Sequence, residues 1–292
     1  MTLLQAILLG LIQGLTEFLP VSSSGHLAIA QILLGIETDT SMLFNVLLHV
    51  GTLIAVFIVF YKDIFHLLLE GISILIDIFY NFLVLIRKMF RHSSENYRRI
   101  VRNGYRKFAV LVIVSTIPTG IIGFVAADVV EAASAMLIVP GVCLIVTGIL
   151  LLISDRIPEG IKTPKQVSYS SAFFIGICQG VATLPGLSRS GTTITACLFG
   201  GFQRKFAVKY SFIMSIPAIL GALILELKDI TLVSNSPDQI LFYLAGMLTA
   251  AIVGYICVKL MLIIVRKRKF TYFAIYCFII GSVAIIGHFF II

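Results

Sequence analysis

The chain has 292 residues, of which 59% are hydrophobic and only 12% charged, and its formal net charge is +8. Its mean hydropathy is +1.06. A soluble domain of this length has no core large enough to bury so much apolar side chain. The composition therefore excludes a soluble globular domain and predicts an integral membrane protein.

Six apolar runs are long enough to cross a bilayer core of roughly 30 Å as helices. They occupy residues 42–61, 108–127, 135–153, 206–227, 240–265 and 270–292. The first residues carry no basic n-region, and their apolar run continues directly into polar residues. We therefore expect the N-terminal segment to belong to the mature fold and not to a cleaved signal.

Two polar stretches interrupt the apolar chain: QGLTEFLPVSSSGHL from Gln13 and QGVATLPGLSRSGTT from Gln179. When the two are aligned on these glutamines, the chain matches itself at a constant offset. The identical pairs include Gly10 and Gly176, Gln13 and Gln179, Ser22 and Ser188, Ser24 and Ser190, and Gly25 and Gly191. The tripeptide Lys-Asp-Ile recurs at 62–64 and 228–230, so the similarity extends through the following span. The pattern indicates an internal repeat.

Each half contains one polar segment followed by three spans, so we predict a single membrane domain, 1–292, made of repeats 1–153 and 168–292. An odd number of crossings per repeat inverts the second copy relative to the first. The first copy carries an insert, 64–107. Its acidic side chains favour a helix at the membrane interface, or one packed on the bundle, over a further span.

Basic residues cluster between Arg87 and Lys107 and again in RKRK, 266–269. Such clusters are typical of cytoplasmic loops beside anionic lipid, so we expect no nucleic-acid partner. With these loops inside, the inverted arrangement places 128–134 and 228–239 outside.

The polar segments, 1–36 and 168–200, are interrupted near their centres by Pro and Gly, including Pro20 and Pro185. A broken helix at membrane depth is tolerated only where its backbone faces protein or a wet cavity. We therefore predict two re-entrant helix-loop-helix hairpins that enter from opposite faces and meet near the midplane.

The loop sequences VSSSG and LSRSG present hydroxyls at the start of the second half-helices, whose free N–H groups favour anions such as phosphate. Arg189 adds a planar cation that matches phosphate geometry. The residues expected to bind substrate are Gln13, Ser22, Ser24, Gly25, Ser188, Ser190, Gly191 and Thr192.

Glu17 follows Gln13 by four residues, so the two share one helix face. A carboxylate inside the membrane is costly, which favours a function for Glu17 over a structural ion pair. Gln13 fits either an interhelical hydrogen bond or the site. His26 follows the serine turn, where a nucleophile, a general acid or base, or a phosphate contact is expected. The other histidines, His49, His66, His92 and His288, lack such neighbours in the sequence and are interpreted as structural.

The two polar stretches resemble the motifs of the undecaprenyl-diphosphate phosphatases of bacterial membranes, also called bacitracin-resistance proteins. One family motif is Glu/Gln-x-x-x-Glu followed by FLPVSS(T/S)GH, and it stands here as Gln13 to Glu17 and FLPVSSSGH. The other, PGxSRSGxT, stands here as PGLSRSGTT, Pro185 to Thr193. The resemblance covers essentially the whole chain.

The resemblance implies a fold of six spans and two hairpins in the bacterial plasma membrane. It implies hydrolysis of undecaprenyl diphosphate to undecaprenyl phosphate and inorganic phosphate, which recycles the lipid carrier for cell-wall synthesis and confers bacitracin resistance. It assigns the catalytic group to Glu17, Ser23, His26 and Arg189, beside Gln13, where many members have glutamate. It also implies a homodimer.

We expect no organic cofactor. A divalent cation, Mg²⁺ or Ca²⁺, is expected to bridge the diphosphate. The sequence offers no dedicated cage for it, so we expect the ion to arrive with substrate.

The chemistry leaves three versions open: attack by Ser23, attack by His26 through a phosphohistidine, or direct attack by water. Ser23 is the preferred nucleophile, with Glu17 and His26 moving its proton. Inverted repeats with broken helices also describe transporters, so a carrier or flippase for an anionic or phosphorylated lipid is the alternative. A purely structural scaffold ranks third, because it would not need so many polar groups at the broken helices.

Overall fold

The computed structural model of the chain describes residues 1–36, 38–91, 94–134, 136–229, 237–267 and 269–291. Within these ranges the chain forms α-helices and no β-strand, which confirms the predicted all-α class. The helices are α1 Leu3–Phe18, α2 Ser23–Leu33, α3 Thr38–Arg91, α4 Gly104–Val125, α5 Ala127–Ser134, α6 Ile138–Arg156, α7 Tyr169–Val181, α8 Arg189–Phe199, α9 Arg204–Asp229, α10 Pro237–Arg266 and α11 Thr271–Ile291.

In the described part of the chain, six helices are long and apolar enough to cross a membrane. These segments are Leu43–Phe90, Gly104–Val125, Ile138–Arg156, Arg204–Ile224, Gln239–Val265 and Thr271–Phe290. The predicted number of spans is confirmed, and the protein is a multi-pass membrane protein. Several predicted positions lie outside the described residues: Ala135 and Ile292 at span ends, His92 and Ser93 in the insert, 230–236 in the external loop, and Arg268 in RKRK.

Helix α3 is much longer than the span predicted at 42–61. Its 54 residues rise about 1.5 Å each, so it is about 80 Å long, well beyond a bilayer core of roughly 30 Å. Phe60 to Leu69 contains neither glycine nor proline to stop the helix, so α3 continues through the predicted end of the span into the insert. Non-helical angles at Phe60 (φ −107°, ψ 20°) bend the helix near that point instead.

The insert folds back on itself through ion pairs. The side chain of Asp77 is 2% exposed and accepts hydrogen bonds from Arg102 at 2.8 Å and Arg106 at 2.5 Å. Arg106 also donates through Nε to Glu70 at 2.7 Å. Since a buried carboxylate needs such partners, these bonds tie the basic segment before α4 and the first turn of α4 to the second half of α3. That this half lies at the membrane interface stays a prediction.

The helix boundaries repeat as the sequence does. Helices α1, α2 and α3 begin at positions 3, 23 and 38, and α7, α8 and α9 begin at positions 169, 189 and 204, each at the offset that relates Gln13 to Gln179. Helices α4 and α6 begin at 104 and 138, and their counterparts α10 and α11 begin at 237 and 271. This second pair of starts has a smaller offset because the insert lengthens the first copy.

Helices of one repeat pack against helices of the other repeat. The first helix of each repeat packs on a spanning helix of the other repeat, α1 on α10 and α7 on α4. A Cβ at Gly10 would collide with the backbone of Gly246, and one at Gly176 with the backbone of Ser115. Small residues allow such close helix contacts in membranes. Near the C-terminal ends of α1 and α7, the polar side chains Gln13, Glu17 and Gln179 are buried. That the two hairpins are re-entrant stays a prediction.

Candidate active site

The turns of the two hairpins lie against each other. A Cβ on Gly25 would lie 3.0 Å from the Cα of Gly186, which has a positive φ of 89°. Across the same contact, Ser190 Oγ donates to the carbonyl oxygen of Leu19 at 3.4 Å. The N-termini of α2 and α8, one from each repeat, are therefore neighbours.

Each of these helices is capped by a serine. Ser22 Oγ accepts from the N–H of Gly25 at 3.4 Å, and Ser188 Oγ accepts from the N–H of Gly191 at 3.1 Å. A serine cap satisfies one of the first N–H groups, and the others have no partner within the helix. Ser22 has a φ of 68°, a conformation that is uncommon for non-glycine residues. Both helix ends thus offer donors to an anion.

The predicted hydroxyls differ in exposure. Ser22, Ser188 and Ser190 are buried, whereas Ser24 is exposed. In each turn the cap serine lies 3.3 Å from the serine two residues on, Ser22 from Ser24 and Ser188 from Ser190. The two turns therefore repeat the hydroxyl arrangement as well as the sequence.

Glu17 lies at the centre of the polar contacts, with a side chain that is 2% exposed. Its Oε2 accepts from Ser23 Oγ at 2.6 Å and from Gln13 Nε2 at 3.0 Å. Its Oε1 is paired with Nη2 of Arg189. Donors approach both oxygens, so the group is an ionised carboxylate whose burial is compensated by a cation from the other repeat.

His49, interpreted as structural from the sequence, lies beside this carboxylate. Its Nδ1 is 3.8 Å from Glu17 Oε2 and 3.0 Å from Gln13 Nε2. A signal in the sequence pointed to it: Asn45, His49 and Thr52 are spaced i, i+4 and i+7 in an apolar span, which places them on one helix face. This polar face turns toward the first hairpin.

His26 is placed differently from what its neighbours in the sequence suggest. Its Nδ1 donates to the carbonyl of Ser22 at 2.7 Å, and its Nε2 is 2.8 Å from the hydroxyl of Tyr276, against which the ring stacks. Because a carbonyl only accepts, Nδ1 carries a proton and Nε2 of the neutral ring accepts from the tyrosine. Among the contacts of the described residues, none joins His26 to Glu17 or Ser23.

Arg189 begins α8, and its side chain is 23% exposed. Its Nη2 is engaged by Glu17, whereas its Nη1 is buried with no hydrogen-bond partner in the described ranges. The same holds for Thr192 Oγ1 and Gln13 Oε1. Buried polar atoms are almost always paired, so these three atoms are available to a water molecule or a polar ligand.

The described residues contain no group of three or more His, Cys, Asp or Glu side chains that could hold a metal ion. Near the hairpins, the carboxylate of Glu17 and the unpaired Oε1 of Gln13 are hard oxygen donors of the kind that Mg²⁺ and Ca²⁺ prefer. Two protein oxygens suit an ion that takes its remaining ligands from a bound diphosphate.

The family model described as bacitracin resistance protein BacA matches residues 6–283. The chain belongs to this family. The resemblance drawn from the two motifs is thereby confirmed.

Curated relatives are similar to this chain over nearly their full length. A protein of Alkaliphilus metalliredigens is 41% identical, with 98% of each chain covered. One of Methanobrevibacter smithii is 42% identical, also with 98% of each chain covered. One of Desulforapulum autotrophicum is 40% identical, with 99% of each covered. All three are named undecaprenyl-diphosphatase.

Proposed function

We propose that this BacA-family protein hydrolyses undecaprenyl diphosphate to undecaprenyl phosphate and inorganic phosphate. It is thus a membrane hydrolase that recycles the lipid carrier for cell-wall synthesis and confers bacitracin resistance, in keeping with its family and relatives. One observation carries the mechanism: the carboxylate of Glu17 holds the hydroxyl of Ser23 on one oxygen and Arg189 on the other.

Ser23 is the nucleophile in this proposal. Its hydroxyl donates to Glu17 at 2.6 Å, within the reach that general-base catalysis requires. As Ser23 Oγ bonds to the terminal phosphorus, its proton passes to Glu17. The bond from phosphorus to the bridging oxygen breaks, and its electron pair leaves with undecaprenyl phosphate. Water then attacks the phosphoserine, and the bond from phosphorus to Ser23 Oγ breaks. Glu17 returns its proton to Ser23 Oγ, and both protons of the water leave with the inorganic phosphate.

Arg189 and the two helix N-termini hold the phosphoryl oxygens. Phosphoryl transfer depends mostly on positioning and on neutralising charge, and a guanidinium serves both. The buried, unpaired Nη1 of Arg189 is the donor available for this contact. Substrate-binding roles for Ser22, Ser24, Gly25, Ser188, Ser190, Gly191 and Thr192 follow from their place at these two turns.

His26 fits a contact with substrate better than a nucleophilic role. Its Nδ1 is engaged by Ser22, and its Nε2 is bonded to Tyr276 and not directed to the serine it was expected to serve. We assign proton transfer from Ser23 to Glu17 alone.

A divalent cation, Mg²⁺ or Ca²⁺, would arrive with the diphosphate, and Glu17 and Gln13 Oε1 would help to hold it. When bound, it would supply charge neutralisation of the diphosphate. The polyprenyl chain would lie along the apolar outer faces of the helices and enter between spans. A homodimer is proposed from the family resemblance.

Phosphate release from undecaprenyl diphosphate by the purified protein in detergent tests this function. We expect Ser23→Ala to lose at least roughly 100-fold in kcat, whereas Ser134→Ala, a matched change in α5, keeps wild-type activity. A passive carrier or flippase does not need a serine bonded to a carboxylate. Binding of the lipid without phosphate release by the wild-type protein would favour that alternative.

A further inference from the structure

The second half-helices of the two hairpins differ in how they are packed. In α8, eight of the eleven residues are buried. In α2, which also has eleven residues, only Gly25 and Leu27 are buried. Helix α2 nevertheless begins at Ser23, the nucleophile of the proposed reaction, and a reacting group loses rate when it is misplaced by even an ångström. The position of α2 must therefore be fixed by contacts other than burial of its own residues.

Two consecutive residues of α11 contact the first hairpin on either side of Ser23. The hydroxyl of Tyr276 lies 2.8 Å from Nε2 of His26, and the two rings stack with their centroids 5.5 Å apart and an angle of 8° between their planes. The thiol of the buried Cys277 donates to the carbonyl oxygen of Pro20 at 3.8 Å. Helix α11 thus holds the chain both before the cap of α2 and within its first turn.

The hydroxyl of Tyr276 is engaged as well as its ring. Nδ1 of His26 donates to the carbonyl of Ser22 at 2.7 Å, so Nε2 of the neutral imidazole accepts the proton of the tyrosine. Both ring nitrogens are therefore bonded, and the stacking fixes the plane of the ring. Through His26, the tyrosine is connected to the backbone of Ser22, the residue directly before Ser23.

Among the described residues, no hydrogen bond joins the equivalent positions of the second copy. His26 corresponds to Thr192 at the offset of the two polar stretches, and Tyr276 corresponds to Cys143 at the smaller offset that relates α6 to α11. Thr192 Oγ1 is buried without a hydrogen-bond partner in the described ranges. The bond from α11 therefore belongs to the copy that carries Ser23.

We propose that Tyr276 is a positioning residue for the phosphatase reaction. Its hydroxyl holds the imidazole of His26 and, through it, the first turn of α2 that begins at Ser23. This inference rests on the proposed function. Tyr276 acts through His26, the side chain assigned to a contact with substrate, and does not touch the substrate itself.

The test compares Tyr276→Phe with Tyr272→Phe. Tyr272 lies one helical turn earlier in α11 and is 68% exposed. In both variants phenylalanine keeps the ring and removes only the hydroxyl. We expect Tyr276→Phe to lower kcat/KM for phosphate release about 2- to 10-fold, the range for loss of one neutral hydrogen bond. Tyr272→Phe should keep the wild-type value.

Nuclear magnetic resonance of protein labelled with ¹⁵N-histidine shows whether the loss acts through His26, whose signals are assigned with His26→Ala. We expect the Nε2 signal of His26 to be that of an unprotonated, hydrogen-bonded nitrogen. Tyr276→Phe should shift it, because the nitrogen loses its donor, and Tyr272→Phe should not. In a protein that already carries His26→Ala, adding Tyr276→Phe should cause no further loss of kcat/KM.

Four results would overturn the proposal. They are equal kcat/KM for Tyr276→Phe and Tyr272→Phe, a loss of kcat/KM without a shift of the His26 signal, an equal further loss in the His26→Ala protein, and a wild-type Nε2 that carries the proton. The last measurement needs no variant at Tyr276, so it decides even if that variant fails to fold. Failure of the proposed function is distinct from these results, because the wild-type protein itself would then release no phosphate.

Discussion

The two hairpins share a backbone plan but differ in what their side chains do. In the first, the amide of Gln13 joins Glu17 and His49. At the equivalent positions of the second copy, the chain has Gln179, Thr183 and Ser215.

These second-copy side chains make hydrogen bonds only to neutral groups, and Gln179 Oε1 is buried with no hydrogen-bond partner in the described ranges. Gln179 Nε2 donates to Thr119 Oγ1 and to the Met214 carbonyl, each at 3.4 Å. Thr183 and Ser215 donate to backbone carbonyls three residues earlier, at 2.7 and 2.8 Å. The second copy thus keeps the scaffold with neutral groups, whereas the first places a carboxylate and an imidazole in the same frame.

The two charged side chains that pair between the hairpins, Glu17 and Arg189, come from opposite copies. Position 23 is a serine, and its counterpart in the second copy is Arg189. Glu17 from one copy meets both of them. The duplication therefore supplies two neighbouring helix N-termini, and the differences between copies supply the carboxylate, the hydroxyl and the guanidinium that meet there.

Removing the carboxylate of the first hairpin is expected to have the largest effect. Glu17→Gln keeps the size and the burial but leaves Ser23 without a base and Arg189 without its counter-charge. We expect kcat to fall by roughly 10²- to 10⁴-fold, measured as phosphate release in detergent. The exposed Glu131→Gln in α5 is the matched control, and equal activity of the two variants would contradict the role of Glu17.

Replacing the cation of the second hairpin, Arg189, is expected to cause the second-largest loss in kcat. Arg189→Lys keeps the charge but loses the planar fork, and Arg189→Ala loses both. We expect roughly 10²- to 10³-fold loss in kcat for Arg189→Ala, as for removal of a single donor that stabilises the transition state, and a smaller loss for Arg189→Lys.

The control for these changes is Arg156→Lys, at an exposed arginine that ends α6. If both substitutions at Arg189 raised KM alone, the arginine would bind the ground state only, and its part in the transfer step would be refuted.

Substitutions at helix contacts that both copies share are expected to have smaller effects, on stability, and these effects should be similar in the two copies. Gly10→Ala and Gly176→Ala each place a methyl group against the backbone of a neighbouring helix, so each should destabilise the protein by about 1–3 kcal/mol. Gly71→Ala meets no atom within 4 Å and should be neutral or stabilising.

Thermal unfolding in detergent gives the comparison between these glycine variants. A midpoint for Gly10→Ala or Gly176→Ala as high as that of Gly71→Ala would show that the helices do not need these close approaches.

Much of the architecture follows from local patterns. Apolar length predicts the six spans, and the fixed offset predicts two polar segments of the same design. The length of α3 does not follow from the predicted span, because the helix continues without a break into the insert. The boundaries of an inserted helix depend on ion pairs such as Asp77 with Arg106, which join residues far apart in the chain.

The site was only partly predictable, because some of its contacts join residues that are far apart in the chain. Gln13 and Glu17 are one helical turn apart, so their bond follows from spacing. The contact of His49 with Glu17 depends on how α1 packs on α3, and the bond between His26 and Tyr276 joins residues 250 positions apart. The spacing of Asn45, His49 and Thr52 marks a polar helix face but does not show which residue that face meets, and the local sequence does not show the partner of His26.

The most direct test of the account is to trap the phosphoryl group during turnover. Wild-type protein is mixed with undecaprenyl diphosphate labelled at the terminal phosphate, quenched rapidly and digested, and the labelled residue is mapped. The account predicts label on Ser23, absent from Ser23→Ala and formed more slowly in Glu17→Gln. Label on His26, or turnover by the wild-type protein with no labelled residue at any quench time, would contradict it.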